Sequence, residues 1–234
     1  MGVIDSTVRT PDGRNLRVQE GGDSGGRPVL VHGGTPNSRN LYRPHLEVAL
    51  EQGIRLISYD RPGYGGSTPH FGRSIADCAA DVRTIADALD IDRFAIWGIS
   101  GGGPHALACA ARLPDQLVAA ASLASPAPYD APGLDDFAGM GELNVDDTKL
   151  MLDDPTAAKA KTVSDREGML TATADGIRGF MQTLLTATDA AVMAGELAEQ
   201  RILGVDAHLT AEDGHLTLVQ RRIPAVHRWL LEHF

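Results

Sequence analysis

Phe94-Ala95-Ile96-Trp97-Gly98-Ile99-Ser100-Gly101-Gly102-Gly103-Pro104-His105-Ala106-Leu107 is the stretch on which the fold turns. Its first residues form a short apolar run, read as a buried strand. The residues from Pro104 to Leu113 carry a helical pattern. The link between them, Gly98 to Gly102, is a G-x-S-x-G set at a strand-to-helix bend. A serine hydroxyl is a weak nucleophile unless it is exposed and held beside a base. A sharp bend projects it that way, and it needs residues without side chains two before and two after the serine, where backbones crowd. The helix that follows aims its first N–H groups at the same place. The competing reading is a glycine-rich turn with a bystander serine.

Working outward, strands and helices alternate. Val3–Thr10 and Arg14–Glu20 flank the turn Pro11-Asp12-Gly13, which reads as a hairpin. Pro28–Val31 is a short strand leading into His32-Gly33-Gly34-Thr35-Pro36. A helix is predicted over Leu41–Gln52, then a strand over Ile54–Tyr59 leading into Asp60-Arg61-Pro62-Gly63. Ser74 with Asp77 resembles a capping box, opening a helix with Ile75, Cys78, Val82, Ile85 and Leu89 on one face. Leu117–Leu123 is another strand. The alternation predicts an α/β fold, a mostly parallel doubly wound sheet. Residues 126–204 read as helices and loops without a convincing strand, a helical lid or cap inserted into a core of 1–125 and 205–234. Val205–Thr210 reads as a last strand. His215 follows, then a helix with Leu216, Val219, Ile223, Val226 and Leu230 on one side and Pro224 as a kink or restart.

The blocks His32-Gly33-Gly34, Tyr59 to Ser67, Gly98 to Gly102 and Gly214-His215 stand in the order of a known family. The chain resembles the α/β-hydrolase superfamily, in its branch of esterases, proline-iminopeptidase-like hydrolases and non-haem haloperoxidases. The resemblance implies a serine hydrolase with Ser100 as nucleophile, and a base that follows it in the chain. His208 falls within a strand, and His227 and His233 on the last helix, which leaves His215 in a loop after the flexible Gly214. The loop after the strand 28–31 is expected to complete an oxyanion hole, with the N–H groups of Gly34 and Gly101 as donors, each worth about 10²–10³ in rate.

The acid that should orient His215 is hard to place. No strand followed by G-x-x-D precedes Val205 at the family's usual distance, so the penultimate strand and its acid are missing from the pattern. Asp206 begins the strand whose far end delivers His215, roughly 15–20 Å away at the wrong sheet edge. Asp130 follows the strand 117–123 at the correct edge and is the candidate, the competing reading being a helix-capping loop residue. Losing a triad acid typically costs about 10⁴ in kcat and leaves about 10³–10⁴ over water, so an incomplete triad predicts a slow enzyme.

Composition bounds the alternatives. The 234 residues carry a formal net charge of -10, which disfavours a nucleic-acid partner. No apolar run is long enough to span a membrane, and no leader pattern precedes the first strand. Met1-Gly2 with Ser6 fits a myristoylation pattern only by its short spacing. Cys78 and Cys109 show neither CxxC nor metal spacing and are expected as buried, reduced thiols in a cytoplasmic protein. No cofactor or metal is expected, and the partner is a small-molecule substrate. Gly22-Asp23-Ser24-Gly25-Gly26 mimics a chymotrypsin-like serine motif, but no histidine precedes it. The acidic run from Asp146 to Asp154 lacks the pattern of a calcium loop and reads as a solvated face. Met140, Met151, Met169, Met181 and Met193 fall in the lid segment and suit either an adaptable apolar site or plain packing. Hydrolysis of a small ester is the leading expectation, beside N-terminal proline aminopeptidase activity, perhydrolysis, or a non-catalytic binding protein on the same fold.

Overall fold

The computed structural model describes residues 2–129, 131–138, 142–173, 175, 176, 179 and 215–234. Strands β1 (Ile4–Arg9) and β2 (Asn15–Gly22) form the expected antiparallel hairpin, with Ile4 opposite Glu20 and Arg9 opposite Asn15. Strands β3 (Arg27–His32), β4 (Ile54–Tyr59), β5 (Phe94–Ile99) and β6 (Leu117–Leu123) follow. The sheet order is β1-β2-β4-β3-β5-β6. The pairs β3–β4, β3–β5 and β5–β6 are parallel, and the hairpin joins them through an antiparallel β2–β4 pair. The sheet is therefore mostly parallel, as the strand-helix alternation predicts.

Both faces of the sheet are covered, and the period-2 pattern of each strand decides which residue faces where. Leu30, Ile57 and Ile96 face one core, with helices α2 (Cys78–Ala88) and α3 (Gly103–Arg112) supplying Val82, Ile85, Ala106 and Cys109. The alternate residues Val29, Leu56 and Trp97 are equally buried. On that side Trp97 meets His45 of helix α1 (Arg43–Glu51), ring centroids 5.5 Å apart, and His227 at 6.2 Å. Gln52 Nε2 donates to the Pro224 carbonyl at 3.2 Å, tying the end of α1 to the C-terminal helix.

Two local expectations need correction. Asp77 Oδ2 does accept from Ser74 N at 2.6 Å and from Ser74 Oγ at 2.9 Å. The first turn, Ile75–Asp77, is however a tighter 3₁₀ turn. The change of period takes Ile75 off the apolar face of α2 and leaves it exposed, whereas Cys78, Val82 and Ile85 stay buried. At the other end, His215 lies in a helix (His215–Leu231) rather than in a loop. In that helix Ile223, His227 and Leu230 are buried, spaced four and three residues apart along one face, with Pro224 inside it.

The chain divides into two compact units, Met1–Ala127 with Val219–Phe234, and Pro128–Leu218. Within the second, helices α4 (Glu142–Asp153) and α5 (Pro155–Thr171) pack together. Asp154 caps α5 by accepting from Thr156 N and Ala157 N at 3.1 and 3.0 Å. Lys161 of α5 pairs with Asp147 of α4 at 3.2 Å. The acidic run is thus partly a helix cap and partly an interhelical contact. The C-terminal helix is α6, and its residues from Val219 belong to the first unit. Val205–Thr210, Asp206 and Asp130 lie outside the described residues. Among those described, no helix is long and apolar enough to cross a membrane.

Candidate active site

Ser100 ends the chain's passage from β5 to α3. Its backbone stands at φ 51°, in the left-handed region that non-glycine residues rarely occupy. A short 3₁₀ turn, Ser100–Gly102, carries it into α3. The glycines on either side are sterically required. A Cβ on Gly98 would collide with the Gly102 carbonyl oxygen, and one on Gly102 with the backbone of His32 and Gly33. The bend is as tight as the G-x-S-x-G spacing demands, and it presses against the loop that follows β3.

That contact brings Gly34 to Ser100. A Cβ built on Gly34 would lie 3.3 Å from Ser100 Cβ and 3.8 Å from Ser100 Oγ. One built on Gly101 would strike Thr35 Oγ1. Gly34, predicted from the loop after β3, therefore meets the bend that carries Ser100 and Gly101. The parallel β3–β5 pairing brings them together, with His32 in register with Gly98.

Two residues that the sequence reading passed over hold this arrangement. Arg61, directly after β4, is 4% exposed. Its Nη1 donates to the Gly33 carbonyl at 2.9 Å, and its Nη2 to the Gly34 carbonyl at 3.1 Å and to Thr35 Oγ1 at 3.4 Å. Its guanidinium lies over the Tyr64 ring, 4.9 Å from the centroid. The Gly33 carbonyl belongs to the same peptide unit as the Gly34 N–H. A cation on that oxygen polarises the amide and makes the N–H a stronger donor. The signal available in the sequence was the position of Arg61 at the C-terminal end of a parallel strand, beside Asp60.

Asp60 does the companion work on the neighbouring loops. Fully buried, it accepts from Arg39 N at 2.7 Å, Arg39 Nη1 at 2.8 Å and Gly66 N at 3.0 Å. Ser67 Oγ accepts from Arg17 N at 2.9 Å. The block Asp60 to Ser67 is thus a strap of side-chain hydrogen bonds that satisfies backbone N–H groups where sheet pairing stops.

The second overlooked residue is His105. Its Nδ1 lies 3.0 Å from the Gly101 carbonyl oxygen, which can only accept, so Nδ1 carries the proton. Burial, with the nearby Arg61 charge, lowers its pKa to about 4. The ring is therefore neutral at neutral pH and anchors the turn after Ser100 as a fixed donor.

His215 lies in α6, within the unit that does not contain Ser100, and the described side chains do not include it. Asp130 is outside the described residues. The structure thus brings Ser100, Gly34 and Gly101 together.

The profile of the alpha/beta hydrolase fold family matches residues 27–174. The chain is 36% identical over 123 residues to a non-heme chloroperoxidase of Streptomyces lividans, covering 52% of this chain and 45% of that protein. It is 30% identical over 122 residues to a bifunctional esterase/perhydrolase of Acinetobacter calcoaceticus, covering 52% and 44%. A thermophilic esterase from Thermogutta terrifontis superposes with a TM-score of 0.48 at 25% identity, covering 55% of this chain and 48% of that one. The chain spans less than half the length of the two curated relatives. By the extent of the family match, the chain belongs to the alpha/beta hydrolase fold family.

Proposed function

We propose that the protein is a serine hydrolase of small esters or related acyl compounds. Ser100 attacks the carbonyl carbon, and His215 takes the serine proton and returns it to the leaving group. The N–H groups of Gly34 and Gly101 hold the oxyanion, and water then releases the acyl group from Ser100. Asp130 is the acid assigned to orient His215. Residues 126–204 are assigned as a helical lid or cap. No metal or organic cofactor takes part in these steps. The free thiols of Cys78 and Cys109 support a reducing, cytoplasmic setting.

The observation that carries the reading is the strained φ of Ser100 beside Gly34. Backbone strain of this kind concentrates at functional sites. A packing turn gains nothing from holding a serine there. Perhydrolysis is the second reading, favoured by the names of the chloroperoxidase and esterase/perhydrolase relatives. The acyl-enzyme would be the same, with hydrogen peroxide replacing water and a peracid as product.

The test compares the wild type with Ser100→Ala on a short p-nitrophenyl ester and on a fluorophosphonate probe. The wild type should hydrolyse the ester and take one label per chain. The variant should take none and lose about 10⁴-fold or more in kcat. Equal hydrolysis and equal labelling would end the serine mechanism.

A further inference from the structure

Behind the Ser100 turn, three side chains from three elements converge in the core. Cys78 comes from the first turn of α2, Cys109 from α3 and His32 from the end of β3. The two sulfurs are 3.7 Å apart, and Cys109 Sγ is 3.8 Å from His32 Nε2. One potential ligand atom from each residue lies within 4.8 Å of the other two, and all three residues are buried.

These spacings match a metal's coordination edges. Zinc sites have metal–sulfur bonds of about 2.3 Å and metal–nitrogen bonds of about 2.0 Å. Tetrahedral angles then set sulfur–sulfur edges of about 3.8 Å and sulfur–nitrogen edges of about 3.6 Å. Two of the three edges, sulfur–sulfur and Cys109 sulfur–nitrogen, stand close to these values. The chemistry of the set agrees, because thiolate and imidazole select zinc over the hard, oxygen-seeking cations.

His32 Nδ1 and the Tyr59 hydroxyl are buried and have no hydrogen-bond partner among the described residues. The Tyr59 ring meets His32 edge-on, centroids 5.6 Å apart. Buried polar atoms without partners are uncommon and cost free energy. Cys78 Sγ donates to the His105 carbonyl oxygen at 3.5 Å, and Cys109 Sγ contacts Cys78 Sγ and His32 Nε2.

We propose that His32, Cys78 and Cys109 form a binding site for a thiophilic cation, zinc(II), separate from the Ser100 chemistry. Binding breaks two S–H bonds and forms two Zn–S bonds, and two protons leave to solvent. No oxidation state changes. Two thiolates and a neutral imidazole around a divalent ion form a neutral unit, which an interior without water can hold. A protein oxygen or a water completes the fourth position, and Tyr59 is the unpartnered oxygen beside the set. Cys78 directly follows the 3₁₀ turn with the exposed Ile75, so local opening of that turn admits the ion. Because His32 begins the loop that carries Gly34, the bound ion would pin the root of that loop.

The test uses the full chain, reduced and stripped by chelator, and does not depend on hydrolase activity. Zinc(II) is titrated in, with cobalt(II) in parallel as a coloured stand-in. One ion should remain per chain after desalting, with release of about two protons and a sulfur-to-cobalt charge-transfer band. The double variant Cys78→Ala/Cys109→Ala should retain no ion and show no band. A second readout needs only the wild type. Alkylation of the buried thiols requires local opening, so zinc at 100 times its Kd should slow it about 100-fold. A wild type that retains no ion, a folded double variant that retains as much, or alkylation unchanged by zinc would each overturn the proposal.

Discussion

Ser100 holds its backbone at φ 51°, a conformation that costs a non-glycine residue on the order of 1 kcal/mol or more. Glycine would relieve it. Ser100→Gly should therefore be more stable than Ser100→Ala by about 1 kcal/mol in urea unfolding, while both lose the hydroxyl. Equal stability of the two variants would mean that the turn stores no strain. Arg61 is the other decisive residue. Its guanidinium bonds the carbonyls of Gly33 and Gly34, and charge-assisted bonds of this kind contribute about 1.5–3 kcal/mol each. Arg61→Met should lower kcat about tenfold or more with little change in KM, because a polarised Gly34 N–H matters most when the oxyanion forms. Arg61→Lys should recover part of the loss. A change confined to KM would separate Arg61 from the oxyanion. The serine was legible from G-x-S-x-G, since local sterics alone require that motif. The arginine was not, because its partners are main-chain atoms of a loop 27 residues earlier, and carbonyls leave no mark in a sequence.

Between α1, β5 and α6 lies a layer of aromatic rings: His45, Trp97 and His227. Burial is the main cause that lowers the pKa of His45 to about 3 and that of His227 to about 4. An unfolded histidine titrates near 6.5. As pH falls below that value the unfolded chain gains protons that the folded chain refuses. The stability that rests on neutral rings is thus complete above the unfolded pKa and is lost as pH falls toward about 3 to 4. Each such histidine steepens the loss by up to about 1.4 kcal/mol per pH unit. His227→Leu should flatten the fall in urea stability between pH 6 and pH 4 by about that amount for one group. An unchanged slope would show that His227 is protonated in the fold. The helix itself was readable from its apolar period, but His227 was placed on it without a buried role. Its burial depends on α6 packing against Trp97, a contact between distant segments.

Across the whole molecule the formal net charge of -10 repels anions. Under the proposed function, an ester carrying a negative acyl group should react faster as salt rises from about 0.01 M to about 0.15 M, as screening shortens from about 30 Å to about 8 Å. A neutral ester should show no such change in kcat/KM. Equal salt dependence for the two would mean that the overall field does not reach the site. The chain matches its family over residues 27–174.

The sequence by itself determined the six strands from Ile4 to Leu123, the hairpin, and the strand-to-helix bend that carries Ser100. Each depends on local sterics and on a short apolar period, which neighbouring residues carry among themselves. The tertiary structure alone decided what distant segments do together. It set Gly34 against Ser100, placed Arg61 beneath the glycine loop, and buried His227. It also gathered His32, Cys78 and Cys109, whose chain spacing shows no metal pattern, into one cluster. The physical reason is that parallel strands place residues far apart in sequence at the same edge of the sheet, and only the packing of helices onto that sheet determines which side chains then touch.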